Sequence, residues 1–313
     1  MTWRSVFMSI LTLGIVAGPA AAQCGPRSLD APRARHETVV STAWLAANAA
    51  SRDLVILHVD HDRTSYDAGH VPGARFGSAM AFAVGDFDLP PVPDLVEAVA
   101  QLGIANTTRV VLYGEPWHLG RVLLALDYLG HGDRIALLDG GLPQWRLEGR
   151  PVSRAEPPAV ARAAFAPQVR RDVVVDAEWV RAHAADPRFV VIDARSAAEY
   201  EGTEPRNEPR RGHIPGARHL EWNRTFTRPA DAEAGTASRL VSAERLLALF
   251  DSAGIRPGRE PVFYCTVGLR ASHLYFVARY LGFNPRIYDG SMNDWVRHPE
   301  FPLATGSRPG GQP

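Results

Sequence analysis

The chain has 313 residues, and 34 Lys plus Arg balance 34 Asp plus Glu, so no global field draws it to nucleic acid or to an anionic membrane surface. At 46% hydrophobic residues it can fill two ordinary domain cores. With two cysteines, no Cys/His cluster at zinc spacing and no glycine-rich phosphate loop between a strand and a helix, neither a zinc module nor a P-loop is expected.

Residues 1–22 read as a secretory signal peptide. Arg4 supplies a positive start, Val6 to Ala17 an apolar run, and Ala20-Ala21-Ala22 a small-residue cleavage site before Gln23. The run is shorter than the roughly 20 apolar residues a membrane span needs. Export is therefore expected, to the periplasm in a Gram-negative source and to the medium otherwise. Gln23 before Cys24 argues against a lipid anchor. A Cys24–Cys265 disulfide is the rival explanation for two cysteines in an exported chain, and it ranks second because Cys24 lies in a Pro-containing leader where a staple would order little.

Beyond the leader the chain repeats itself. Trp44 after Val39-Val40 matches Trp179 after Val174-Val175, Leu54–Leu57 matches Phe189–Ile192, Tyr128-Leu129-Gly130 matches Tyr280-Leu281-Gly282, and Asp139-Gly140 with Trp145 matches Asp289-Gly290 with Trp295. Two domains are expected, 36–150 and 172–303, joined by a Pro-, Ala- and Arg-rich linker over 151–171. In each copy apolar strand-like runs alternate with helical segments, which predicts an α/β fold with a parallel sheet flanked by helices. Asp94 with Glu97 suggests a capping box for a helix stopping at Gly103, and Ser242 opens one stopping near Gly254. The four repeated tryptophans read as core residues, 201–211 as an inserted surface loop whose Arg206, Arg210 and Arg211 could line an entry for anions, and 306–313 as a frayed tail.

The most informative stretch is Val262-Phe263-Tyr264-Cys265-Thr266-Val267-Gly268-Leu269-Arg270, followed by a helical run from Ala271 to Leu281. A β-type segment ending on a cysteine, then a Gly-containing loop and a helix, places the sulfur where amide N–H groups converge. Those amides and Arg270 should hold it as a reactive thiolate at neutral pH. The bland alternative is a buried structural cysteine, which Gly268 and Arg270 argue against. Arg270 closes a Cys-x4-Arg loop, one residue shorter than the phosphate cradle of cysteine phosphatases, and that smaller ring suits the single sulfur of a persulfide.

Cys265 to Arg270 followed by Ala271-Ser272 resembles the active-site loop of the rhodanese sulfurtransferases. Gly69-His70-Val71-Pro72-Gly73-Ala74-Arg75 and Gly212-His213-Ile214-Pro215-Gly216-Ala217-Arg218 resemble that family's Gly-His-Ile-Pro-Gly-Ala signature. The resemblance implies a tandem protein whose active loop faces the cleft between domains, with Cys265 as catalytic nucleophile. Thr266, Val267, Gly268, Leu269 and Arg270 would then bind substrate.

Counting back from Tyr128-Leu129-Gly130, the first-domain position matching Cys265 is Tyr113, so that domain has no thiol there and either stabilises the molecule or shapes the site. Pro116, Trp117 and His118 are candidates to face the cleft. At the strand end before the Gly-His signature, Asp193-Ala194-Arg195 matches His58-Val59-Asp60. The resemblance gives Arg195 a donor-binding role, while Asp193 is expected to support the loop by pairing with Arg270. Glu199 stands before Tyr200, where tandem members often carry arginine. His70 and His213 are expected to stabilise their turns, with a relay role for His70 the minor alternative that mercaptopyruvate-type members suggest.

The expected function is transfer of a sulfane sulfur from an anionic small-molecule donor such as thiosulfate, with 3-mercaptopyruvate as the alternative, to cyanide or a thiol. A protein acceptor is compatible with the same chemistry. The scheme passes through a Cys265 persulfide and needs no metal or organic cofactor. The different-class alternative is a persulfide carrier or partner-binding module without significant turnover.

Overall fold

In the computed structural model the described residues are 1, 34–204, 210–227 and 238–310. The proposed leader, Cys24 and Arg206 lie outside them. The first domain runs β1 (Val39–Val40), α1 (Thr42–Asn48), β2 (Leu54–Asp60), α2 (Thr64–Ala68), β3 (Arg75–Ser78), α3 (Val92–Gln101), β4 (Arg109–Gly114), α4 (Pro116–Tyr128), β5 (Ile135–Leu138) and α5 (Gly141–Leu147). The second repeats it with β6 (Val174–Val175), α6 (Ala177–His183), β7 (Phe189–Asp193), α7 (Ala197–Glu201), β8 (Arg218–His219), α8 (Ala243–Ser252), β9 (Glu260–Tyr264), α9 (Leu269–Tyr280), β10 (Arg286–Tyr288) and α10 (Ser291–Trp295). The sheets have the same order, β1-β5-β4-β2-β3 and β6-β10-β9-β7-β8, and every paired strand is parallel.

The central strands are apolar almost without alternation because helices cover both faces; β7 and nearly all of β9 are buried. Helix starts also repeat: Ser41 accepts from the Trp44 N–H and Asp176 from the Trp179 N–H. Ser242 caps α8 through the Arg245 N–H, and Gly254 follows its end at φ +80°. The expected Asp94–Glu97 capping box is not formed. α3 begins at Val92 after Pro91, leaving Asp94 inside the first turn, while Glu97 takes Arg162 and Gln101 instead. Trp145 and Trp295 are core residues, whereas Trp44 and Trp179 are half-buried beneath Arg109 and Arg286.

Two segments are more ordered than composition suggests. Residues 151–171 contain no helix or strand but strap onto the first domain: Ser153 exchanges backbone bonds with His70, the N–H groups of Gln168 and Arg170 reach Leu129 and Tyr128, and Phe165 enters the core. The tail does not fray at Gly306, whose N–H donates to Glu201, and the Pro309 carbonyl accepts from Gly216.

Between the domains α4 and α9 pack closely. A Cβ on Gly120 would lie 2.6 Å from the His273 nitrogen, so only glycine permits this approach. Leu119, Leu123, Leu274 and Phe276 join both halves in one core, and Asp127 ties Tyr275 (2.5 Å), Arg170 (2.6 Å) and Arg279 (3.1 Å) beside it.

Candidate active site

β9 delivers Cys265 to the carboxyl end of the sheet, the edge at which parallel α/β folds place their ligands. The cysteine is 1% exposed. Gly268, at φ +81°, turns the chain into α9, which therefore starts at Leu269, two residues earlier than the sequence suggests. The loop carbonyls are pinned from outside. Cys265 O accepts from the Met292 N–H (3.0 Å) and Thr266 O from the Asn293 N–H (3.0 Å), while Val267 O accepts from Arg121 Nη2 of the first domain (3.3 Å). In a trans peptide C=O and N–H point in opposite directions, so the Thr266, Val267 and Gly268 N–H groups turn toward the inside of the loop.

Arg270 pairs with Glu199, not with Asp193 as expected. Its Nη1 and Nη2 reach the Glu199 carboxylate at 2.6 and 2.8 Å, and Nη2 also donates to Thr266 Oγ1 at 2.7 Å. Burial by itself would raise the Glu199 carboxyl; the bonds from Arg270 outweigh it and hold the group at about 2. Burial likewise would lower Arg270, but Glu199 and then the charge of the neighbouring Cys265 sulfur raise it. Asp193 instead binds Arg195, at 3.0 Å to Nε and 2.7 Å to Nη2, with both side chains fully buried. Arg195 also donates to the Gly212 carbonyl (2.7 Å), while its Nη1 is buried without a hydrogen-bond partner. The two cations singled out from the sequence are thus each matched by a carboxylate.

Four contributors, Glu199, Ser291, Asp289 and Arg121, were not singled out for the site. Glu199 is held by a capping box with Ser196, and the Ser196-x-x-Glu199 spacing is visible in the chain. Ser291 accepts the Cys265 N–H (3.1 Å) and donates to the Tyr288 carbonyl (3.0 Å) from a left-handed backbone at φ +54°. Gly141 occupies the matching first-domain position at φ +52°, so the serine accepts a strain its counterpart avoids. Asp289 receives Arg121 Nη1 (2.6 Å) and the Leu89 N–H (2.7 Å), both from the first domain; its counterpart Asp139 receives Arg239 (2.6 Å) and the Leu240 N–H (3.3 Å) from the second. The domains hold each other through matched carboxylates.

The structure shifts the match to Cys265 by one residue. Tyr113 and Tyr264 play the same part, accepting the Val71 and Ile214 N–H groups, so Gly114 stands at the Cys265 position. The first-domain loop is one residue shorter, which misplaces a count made back from Tyr128. Pro116 lines a cavity of about 220 Å³ with Phe226 and His273, Trp117 is exposed and lies 5.7 Å from the Trp222 ring of the second domain, and His118 sits 3.3 Å from Asp60. His70 and His213 stack on Tyr66 and Tyr200 and bond their carbonyls, consistent with turn stabilisation. Arg210 is occupied by the His298 and Phe301 carbonyls, and Arg211 is exposed. Among the described residues no His, Cys, Asp and Glu grouping could hold a metal ion.

A cysteine at a strand end, followed by a loop of inward-turned amides on a duplicated α/β scaffold, has the chemistry that covalent group transfer requires. The rhodanese-like domain family model matches residues 41–148 and 176–298, and the chain belongs to the rhodanese sulfurtransferase family in its tandem-domain form. It is 33% identical over 300 residues to the sulfur carrier protein TtuD of Thermus thermophilus, covering 87% of this chain and 98% of that one. It is 34% identical to a thiosulfate sulfurtransferase of Corynebacterium glutamicum, covering 87% and 92%. Among solved structures, YnjE superposes with a TM-score of 0.77 at 27% identity, over 87% of this chain and 69% of that one. A rhodanese sulfur-transfer role follows from these relatives.

Proposed function

We propose that the protein transfers sulfane sulfur through a Cys265 persulfide. The Cys265 thiolate attacks the outer sulfur of thiosulfate, the S–S bond breaks, and sulfite leaves with the bonding pair. The persulfide then gives its terminal sulfur to cyanide, forming thiocyanate, or to a thiol, and the thiolate is restored. The observation that carries this reading is the loop after Cys265 with three successive carbonyls bonded outward, which leaves its amides facing inward to supply positive potential where negative charge gathers.

Arg270 is committed to Glu199, so it braces the loop first, and donor oxygens rely chiefly on the amides of Thr266 to Arg270. Asp193 and Arg195 form a buried scaffold pair at the strand end rather than an open donor clamp. Thiosulfate as donor is supported by the names of the relatives. The Thermus relative's name supports a second reading, in which the same persulfide is handed to a protein acceptor.

Intact-mass measurement after thiosulfate, with and without cyanide, tests the proposal. A gain of one sulfur that cyanide removes is expected; no gain on Cys265 refutes it, and a gain that cyanide and thiols leave in place favours the carrier reading. We also propose export, on the Arg4, apolar run and Ala20-Ala21-Ala22 pattern; N-terminal sequencing that finds Met1 retained on natively expressed protein refutes it.

A further inference from the structure

We infer that Arg121 of the first domain is a positioning residue for the sulfur cradle, so that the domain without a thiol aims part of the machinery of the other. The inference rests on the persulfide reading above. Three successive peptide units carry the inward N–H groups. Met292 and Asn293, at the start of α10, orient two of them from within the second domain. The third, Val267–Gly268, is oriented by Arg121 Nη2 at 3.3 Å.

Arg121 is suited to this task by its rigidity. It is fully buried, its Nη1 is locked to Asp289 at 2.6 Å, and a Cβ at Gly268 would lie 2.6 Å from its Nη2, so the guanidinium rests directly against the turn. Asp289 is itself fixed by the Leu89 N–H of the first domain. A planar fork can serve a carboxylate and a carbonyl together, which a lysine ammonium on a flexible stem does poorly. Without the fork, the Val267–Gly268 peptide can rotate, and its N–H swings away from the sulfur.

Arg121→Lys is the informative variant because it keeps the buried charge opposite Asp289 while losing the second arm. With thiosulfate and cyanide, kcat is expected to fall about tenfold with KM within about twofold, the pattern of an interaction made in the transition state. Hydrogen exchange over residues 289–293 should quicken, since Asp289 and the two loop-bonding amides lie there. Tyr275→Phe is the control: it removes a 2.5 Å bond to Asp127 in the same interface, so it should lower the melting temperature while leaving kcat and that exchange unchanged. If Arg121→Lys is too unstable to assay, Arg121→Gln with Asp289→Asn removes both buried charges and carries the same comparison. Wild-type kcat and exchange in the folded Arg121 variant overturn the inference, as does a Tyr275→Phe protein that loses kcat equally. Wild-type protein that takes up no sulfur refutes the persulfide instead, and the exchange comparison still judges Arg121.

Discussion

The loops after β4 and β9 occupy the same place in two copies of one fold, and only one can carry a nucleophile. At Gly114, φ is +141° and a Cβ would lie 1.9 Å from the Val59 carbonyl oxygen, so no side chain fits. At the matching position Cys265 stands in a loop one residue longer, whose extra length lets Gly268 turn the chain and bring three peptide units around the sulfur. The proposed reactivity would draw on room for a ring of amides as much as on the thiol. The first domain lacks that room but carries its own docking carboxylate, Asp139, and the reach of Arg121.

The largest expected effect breaks this comparison at the sulfur. Cys265→Ser should abolish sulfur uptake and thiocyanate formation, Cys24→Ser should leave both near wild type, and Gly114→Cys should yield a destabilised protein with no second labile sulfur. Intact mass and thermal melts check all three. Gain of a second cyanide-removable sulfur in Gly114→Cys would show that the loops differ only in the thiol.

Next in size is the Arg270–Glu199 pair, whose place in the first domain is taken by His118, 3.3 Å from Asp60. Arg270→Ala leaves the Glu199 carboxylate buried without this guanidinium, and kcat/KM for thiosulfate is expected to fall at least tenfold, a loss of ~1.4 kcal/mol of transition-state stabilisation. Steady-state kinetics test it, and wild-type rates would remove Arg270 from the mechanism.

The same pair predicts a pH dependence. Glu199 is held at about 2 against its ordinary 4.5. Its stabilisation is therefore complete above 4.5, declines as the pH falls below it, and is lost as the pH passes through about 2. Glu199→Gln should melt several degrees below wild type at pH 7, where ~1 kcal/mol moves a domain of this size by about 2–4 °C, and the gap should close between pH 4.5 and 2. A gap independent of pH would mean that shape, not charge, holds the pair.

The smallest effect is expected at Ser291, where Gly141 shows the alternative. Ser291→Gly relieves a left-handed serine but removes the acceptor for the Cys265 N–H, terms of about 1 kcal/mol that oppose each other. The melting temperature should shift by no more than a few degrees, with activity reduced about two- to fivefold. A tenfold loss would place Ser291 among the groups that aim the sulfur.

Periodicity and repetition in the chain were sufficient to settle the duplicated α/β architecture, because apolar runs and helix caps act over a few residues: Ser242 caps its helix where local spacing says it should, although Asp94 does not. The order of strand, cysteine, glycine turn and helix was legible for the same reason, since Cys265, Gly268 and the start of α9 are neighbours in sequence. Charge pairing was not. Asp193 and Glu199 both lie within reach of the site, and which carboxylate takes Arg270 depends on the three-dimensional placement of α7 against the loop, with Arg195 already filling Asp193. The one-residue offset at Gly114 emerged only from the sheet register shared by Tyr113 and Tyr264. Arg121 is the extreme case: it stands 146 residues from Val267, and nothing local marks it as anything but a helix arginine. Only the docking of α4 on α9, which Gly120 permits, brings its guanidinium to the loop, because long-range contacts are decided by how whole elements pack and not by the residues beside them.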